Sequence, residues 1–159
     1  MRTVYIAFKK ITKDSGLTSK MIGWQQGTKY SHVEIAFSET GNRPYKSIVA
    51  IRGLKTVQYI ARFFNKEHWD MMEFHVTDDQ YVIIEKVLDQ IVGSKYDTLG
   101  IFGFVIPLKD RHDKWFCSEI VANALKVIGY EPMFLYDPSD IGIRELLYLL
   151  DFENNKLDR

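Results

Sequence analysis

The sequence predicts a single α+β domain in which a small antiparallel sheet packs against helices. Three observations carry that expectation. The first half of the chain alternates apolar and polar residues in short runs separated by turn residues, the pattern of neighbouring strands covered on one side. In the second half the period lengthens, and apolar residues recur every three or four positions behind recognisable caps. The length, 159 residues, suffices for one substantial core and not for two. No internal repeat, low-complexity tract or linker divides the chain, so one domain over 1–159 is expected.

Residues 3–8 alternate as a first strand. Ser15 is placed to cap a short helix carrying Leu17, Met21, Ile22 and Trp24, with Gly27 as its stop. Next comes Tyr30-Ser31-His32-Val33-Glu34-Ile35-Ala36-Phe37, a strand whose period of two puts His32, Glu34 and Ala36 on one face and Val33, Ile35 and Phe37 on the other. The second is the expected core face and the first the more polar one. Turn residues 39–44 lead to a strand at 47–52, and Gly53 breaks it from another at 55–60, completing a meander. A further strand fits 69–76. Thr77 and Gln80 then form a capping box for a helix through Val92, closed by Gly93. After an irregular segment a helix begins at Cys117, bears Ile120, Val121, Ala124, Leu125 and Ile128, and stops at Gly129. Ser139, in Asp137-Pro138-Ser139-Asp140, is expected to cap a last helix bearing Ile143, Leu146, Leu147 and Leu150, and 152–159 to fray.

Composition narrows the function. Twenty-one basic and 21 acidic side chains cancel, so neither nucleic acid nor an anionic membrane is expected as the main partner, though a local patch stays compatible with binding. A single cysteine excludes an intramolecular disulfide and suits a reducing compartment. The opening ten residues are interrupted by Lys9 and Lys10, unlike a secretory signal. The longest nearly apolar run, 99–108, contains Gly100, Gly103 and Pro107 and is far shorter than the about 20 residues of a spanning helix. We therefore expect no transmembrane segment, a cytoplasmic location, and a buried role for 99–108 beneath the site.

The lone thiol carries the chemistry. Cys117 lies on the first turn of its helix, where unpaired N–H groups and the positive end of the dipole favour a thiolate. A thiolate nucleophile needs a base to deprotonate it and a group to orient that base. His32 is the best base in the sequence, and Glu34 on the same face, or Ser47 on the next strand, can orient it. Gln25 and Gln26 read as solvated, and the backbone N–H of Cys117 or Ser118 is the better donor to an oxyanion. Against this stands a plainer reading, in which the cysteine is a small buried hydrophobe and His-x-Glu a solvated strand surface. His32, His68, His75, His112 and Cys117 are the conceivable zinc ligands, but none shows paired spacing such as His-x-x-x-His or Cys-x-x-Cys. No metal and no cofactor is expected.

The order of the pieces adds a resemblance. Gly93-Ser94-Lys95-Tyr96-Asp97-Thr98-Leu99-Gly100 followed by Phe116-Cys117-Ser118-Glu119-Ile120-Val121 resembles the NlpC-type papain-like cysteine hydrolases, in which a Gly-x-x-Tyr-x-x-Gly element precedes a Cys-Ser helix. In that family the histidine strand follows the cysteine helix. Here Tyr30-Ser31-His32-Val33 precedes it, which resembles the circularly permuted branch: YiiX-like bacterial proteins, lecithin retinol acyltransferase-like enzymes and small phage-encoded members. The likeness spans 30–129 and departs in three places: the second glycine of the tyrosine element comes one residue late, Phe116 stands where many members have Asp, and the second glycine of their Gly-Gly is missing. It implies a permuted papain-like fold with Cys117 as nucleophile, His32 as base, a third position that varies, and Tyr96 lining the cleft with Ser118. It further implies a cysteine-dependent hydrolase, peptidase-like, or an acyltransferase. The substrate would be a peptide, lipid or small-molecule acyl compound bearing an amide, ester or thioester, met in a host cytoplasm or a virion if the protein is phage-encoded. The alternative is a binding or phage structural module that keeps the fold without turnover.

Overall fold

The computed structural model describes residues 1–38, 44–50, 54–96 and 114–157. Five strands form one antiparallel sheet: β1 (Arg2–Lys10), β2 (Tyr30–Phe37), β3 (Tyr45–Val49), β4 (Gln58–Arg62) and β5 (Trp69–Val76), in the order β4-β3-β2-β1-β5. The described α-helices are α1 (Leu17–Gln26), α2 (Asp78–Ile91), α3 (Cys117–Val127), α4 (Ile143–Leu149) and α5 (Phe152–Asn155). A short parallel pair, β6 (Lys95–Tyr96) with β7 (Lys114–Trp115), leads into α3. The architecture is α+β, with the histidine strand before the cysteine helix. Among the described residues no helix is long and apolar enough to cross a membrane.

The pleat of β1 and β2 builds two cores. Phe8, Ile6 and Val4 stand opposite Val33, Ile35 and Phe37, and this face packs against α2 and α3 as the main core. The other face, expected to be polar, is buried as well. Tyr5, Ala7, Ala36, Tyr45, Phe64, Trp69 and Met71 form a second, smaller core there. Its cause is the segment after β4, which brings Phe64 onto Tyr45 and Trp69 with ring centroids 5.5 and 4.9 Å apart. Such a fold-back has no period, so strand alternation does not reveal it.

Several local expectations shift for identifiable reasons. The fourth strand runs Gln58–Arg62 instead of 55–60, because the backbone of Val57 is already committed: its N–H donates to Ser94 and its carbonyl accepts from Gly93. The third strand ends at Val49, and 51–53 lie outside the described residues. Ser15 does not cap α1. Its hydroxyl accepts the Thr12 N–H at 2.8 Å within the preceding turn, and Gly16 holds the cap position. Of the four apolar side chains expected to face inward from α1, Ile22 alone reaches the main core, while Leu17 is 77% and Trp24 87% exposed. The helix approaches the body through Gly23, where a Cβ would meet Ile11 Cδ1 at 2.0 Å and the Thr28 carbonyl at 2.8 Å. Gly27 ends it in the left-handed region as expected, φ 61°.

The capping box of α2 is present, with Thr77 and Gln80 exchanging hydrogen bonds of 3.1 and 3.0 Å. Ser139 is not the cap of the last long helix. It sits in a 3-10 turn, Pro138–Asp140, capped by Asp137, while the first N–H of α4 donates to Gln26 Oε1 at 2.6 Å across the fold. The tail is docked through Leu157. Phe152 is buried against Phe8, centroids 4.5 Å apart, and the Leu157 N–H donates to the Met71 carbonyl at 2.8 Å. Burying an aromatic ring outweighs the entropy of ordering one helical turn.

Candidate active site

Two elements position the site. The start of α3 is fixed by Phe116, whose ring is in the main core, and by Glu119, whose Oε2 accepts the Phe116 N–H at 2.8 Å. Beyond it Ile120, Val121, Ala124 and Leu125 pack inward, so the helix end cannot rotate freely. The ladder described between β2 and β3 covers only Ile35–Phe37 against Lys46–Ile48. The His32 end of β2 lies outside that ladder, and α3 packs against this strand.

There the imidazole of His32 is hydrogen-bonded to the Cys117 thiol. Its Nε2 lies 3.1 Å from Glu34 Oε1, which leaves Nδ1 as the nitrogen for sulfur. Glu34 is held from three sides. Ser47 Oγ donates to Oε2 at 2.6 Å, and Arg62 forks across the carboxylate, Nη2 to Oε1 at 2.7 Å and Nε to Oε2 at 3.2 Å. All of this is nearly dry: Cys117 is 2%, His32 8% and Glu34 1% exposed. Trp69 stands edge-on to His32, ring centroids 6.2 Å apart.

Burial and charge work against each other here. Burial opposes an imidazolium, but the Cys117 sulfur and then the Glu34 carboxylate outweigh it and raise His32 to about 9. Burial likewise opposes a carboxylate at Glu34. The hydrogen bond and charge of His32, the Ser47 hydroxyl and the Arg62 charge prevail, holding Glu34 below its ordinary range.

Cys117, His32 and Glu34 thus meet in one chain of contacts. Ser47 is one link further out. Its hydroxyl orients the carboxylate, and through it the imidazole. Tyr96 pairs through its backbone with Trp115, two residues before Cys117, and its side chain lies outside the described residues. Ser118 is fully buried, and its hydroxyl has no partner among the described residues. Gln26 is committed to α4. Among the described residues no three His, Cys, Asp or Glu side chains gather to hold a metal. His68 and His75 are exposed, and His112, Asp97 and 99–108 lie outside the described residues.

Arg62, Trp69 and Glu119 are the site residues that sequence reading missed. Glu119 carried a signal, an acid three residues into a helix behind its cap. Arg62 carried none, being 28 residues from the carboxylate it clamps.

Chemically, the arrangement provides a thiol, a base within reach of it, and a buried carboxylate that stabilises the base when protonated. The first turn of α3 offers N–H groups with no intrahelical acceptor beside the sulfur. No protein-family model matches the chain, and no curated protein matches it closely enough to count.

Proposed function

We propose that the protein is a cysteine-dependent hydrolase or acyltransferase of the circularly permuted NlpC-type papain-like kind, acting on an amide, ester or thioester. The observation that carries this reading is the Cys117–His32–Glu34 chain, with the imidazole hydrogen-bonded to sulfur on one side and to a clamped carboxylate on the other. In the mechanism, His32 takes the thiol proton and the sulfur attacks the substrate carbonyl. The first-turn N–H groups of α3 receive the developing oxyanion. The tetrahedral intermediate expels its amine, alcohol or thiol, which takes the proton from His32 and leaves an acyl-enzyme. Water, or another nucleophile deprotonated by His32, then releases the acyl group. Glu34 holds the imidazole in one tautomer throughout and remains ionised.

A second reading, a binding or phage structural module without turnover, is favoured by one observation: the sulfur is almost wholly buried. Iodoacetamide labelling at acid pH, with acyl panels of amides, esters and thioesters, separates the two. The enzyme reading requires a thiol that alkylates well below pH 8, slows markedly in His32→Ala, and turns over at least one panel member in a Cys117-dependent way. Equal alkylation rates with and without His32, and no turnover, refute it.

A further inference from the structure

Beside the site, on the small-core side of the sheet, lies a cleft of about 580 Å³. Its walls are of two kinds. Phe63, Phe64 and Trp69 present aromatic surface, while Lys10, Lys66 and Lys156 bring three ammonium groups. The one acid among its described lining residues is Asp70, and that carboxylate is already engaged. Lys10 Nζ is 3.2 Å from Oδ1, the Tyr30 hydroxyl donates to Oδ2 at 2.6 Å, and Lys156 Nζ is 3.9 Å from Oδ2. Asp70 is accordingly held below its ordinary range, with burial opposing and Tyr30 and the lysines prevailing. Three positive charges against one negative leave a surplus of two. Lys66 pairs with none of the described carboxylates.

A concave, half-apolar surface with excess positive charge concentrates anions and repels cations. The cleft also approaches the His32 side of the site through Trp69. The indole of Trp69 that walls it is the ring standing against His32, so an occupant of the cleft sits one side chain away from the imidazole.

We infer that this cleft is a substrate subsite of the Cys117 centre, built for an acyl compound that carries a carboxylate or phosphate beside an apolar body. The inference rests on the thiol-acyl reading above. Lys66 and Lys156 bind the anion, and Phe63, Phe64 and Trp69 cover the apolar part.

The test uses three ligands of one chain length: octanoate, octyl phosphate and octylammonium. Each is titrated into the Cys117→Ala chain while the backbone amides of Trp69, Met71 and Lys156 are followed by NMR. Both anions should shift these amides and octylammonium should not, and the tighter of the two anions identifies which group the cleft takes. Lys66→Gln and Lys156→Gln should each weaken anion binding about three- to tenfold, the scale of one charge-assisted contact. In the chain that retains Cys117, saturating anion should change the iodoacetamide rate at sulfur severalfold, and Lys66→Glu should abolish that change. Equal binding of octylammonium, or undiminished anion affinity in both lysine variants, overturns the anionic cleft. Binding that leaves the alkylation rate untouched overturns its assignment as a substrate subsite. A thiol that is inert with and without anion sinks the thiol-acyl reading and the subsite with it, while the amide shifts still decide separately whether the cleft takes anions.

Discussion

Replacing Glu34 by Gln is the sharpest perturbation of the site, because shape is kept and only charge and acceptor capacity change. Glu34 accepts hydrogen bonds from Ser47, from two Arg62 nitrogens and from His32. An amide offers one accepting oxygen and one donating nitrogen. If the oxygen stays on His32 and Arg62 Nη2, the NH2 faces Arg62 Nε, donor against donor, and Ser47 must reverse its hydroxyl. Breaking a buried ion pair by removing one partner costs about 3–5 kcal/mol. Because the Arg62 side chain is 26% exposed and can rehydrate, we expect about 2–3 kcal/mol here. For a chain of this length that lowers the melting temperature by about 5–10 °C. The more specific effect is on His32. Its elevated value of about 9 includes the hydrogen bond and charge of Glu34, so the imidazole should titrate at lower pH in Glu34→Gln, while Cys117 still holds part of the elevation. The assay is NMR titration of the imidazole, read with turnover on the best acyl substrate. Turnover should fall about 10²- to 10⁴-fold, with less effect on substrate affinity. An unchanged His32 titration in a folded Glu34→Gln protein would refute the argument that the carboxylate sustains the imidazolium.

Ser47→Ala should be milder, slowing turnover less than tenfold, since the hydroxyl contacts the carboxylate and not the imidazole; an effect larger than that of Glu34→Gln would place the orienting role across the sheet. Stability should also track pH on both sides. The raised His32 contributes fully below about 6.5 and is lost as pH climbs towards 9, whereas the lowered Glu34 contributes above about 4.5 and is lost as pH falls through its depressed value. Urea midpoints should therefore be highest between about pH 4.5 and 6.5 for this pair, and a His32→Ala chain should lose the alkaline slope. Phe152→Ala should cost about 3–5 kcal/mol through the cavity left against Phe8 and Tyr30, measured by urea unfolding; a loss under 1 kcal/mol would mean that the C-terminal turn is not docked in solution.

What could be read from the sequence was what has a period or a local partner. The β5 limits, the capping box of Thr77 and Gln80, the stop at Gly27 and the helix from Cys117 all belong to this class, because each depends on residues within one or two turns. The parity of β2 placed His32 and Glu34 side by side for the same reason. What could not be read were features made by distant segments. The aromatic cover of Phe64 and Trp69 turned an expected polar face into a core, and Gln26 took the capping role assigned to Ser139. The docking of Phe152 also escaped notice, since a lone aromatic in a polar tail carries no pattern. Arg62 is the instructive omission. A buried carboxylate demands a neutralising cation, but no local pattern marks which distant residue supplies it.

The same neutralisation explains how the sheet tolerates such a site. In the thiolate form that the proposed mechanism requires, charge alternates from α3 across the strands: Cys117 negative, His32 positive, Glu34 negative, Arg62 positive. The sum is zero, so little net field must be screened by a nearly dry interior, and each group is stabilised by the neighbours it contacts. Three of the four are buried, and only Arg62, at the outer end, keeps partial contact with water. The order matters for chemistry. In the proposed acyl-enzyme the negative end of the row disappears while the imidazole has just given up its proton, so the inner two charges vanish together and Glu34 and Arg62 remain as a self-sufficient pair. The proposed catalytic cycle would therefore change the protonation of His32 without leaving an uncompensated charge in the sheet. Arg62 would make this possible: without it, Glu34 would stand alone in a low dielectric beside the neutral imidazole of the acyl-enzyme, and the proton that His32 takes from water in the next step would pass on to the carboxylate.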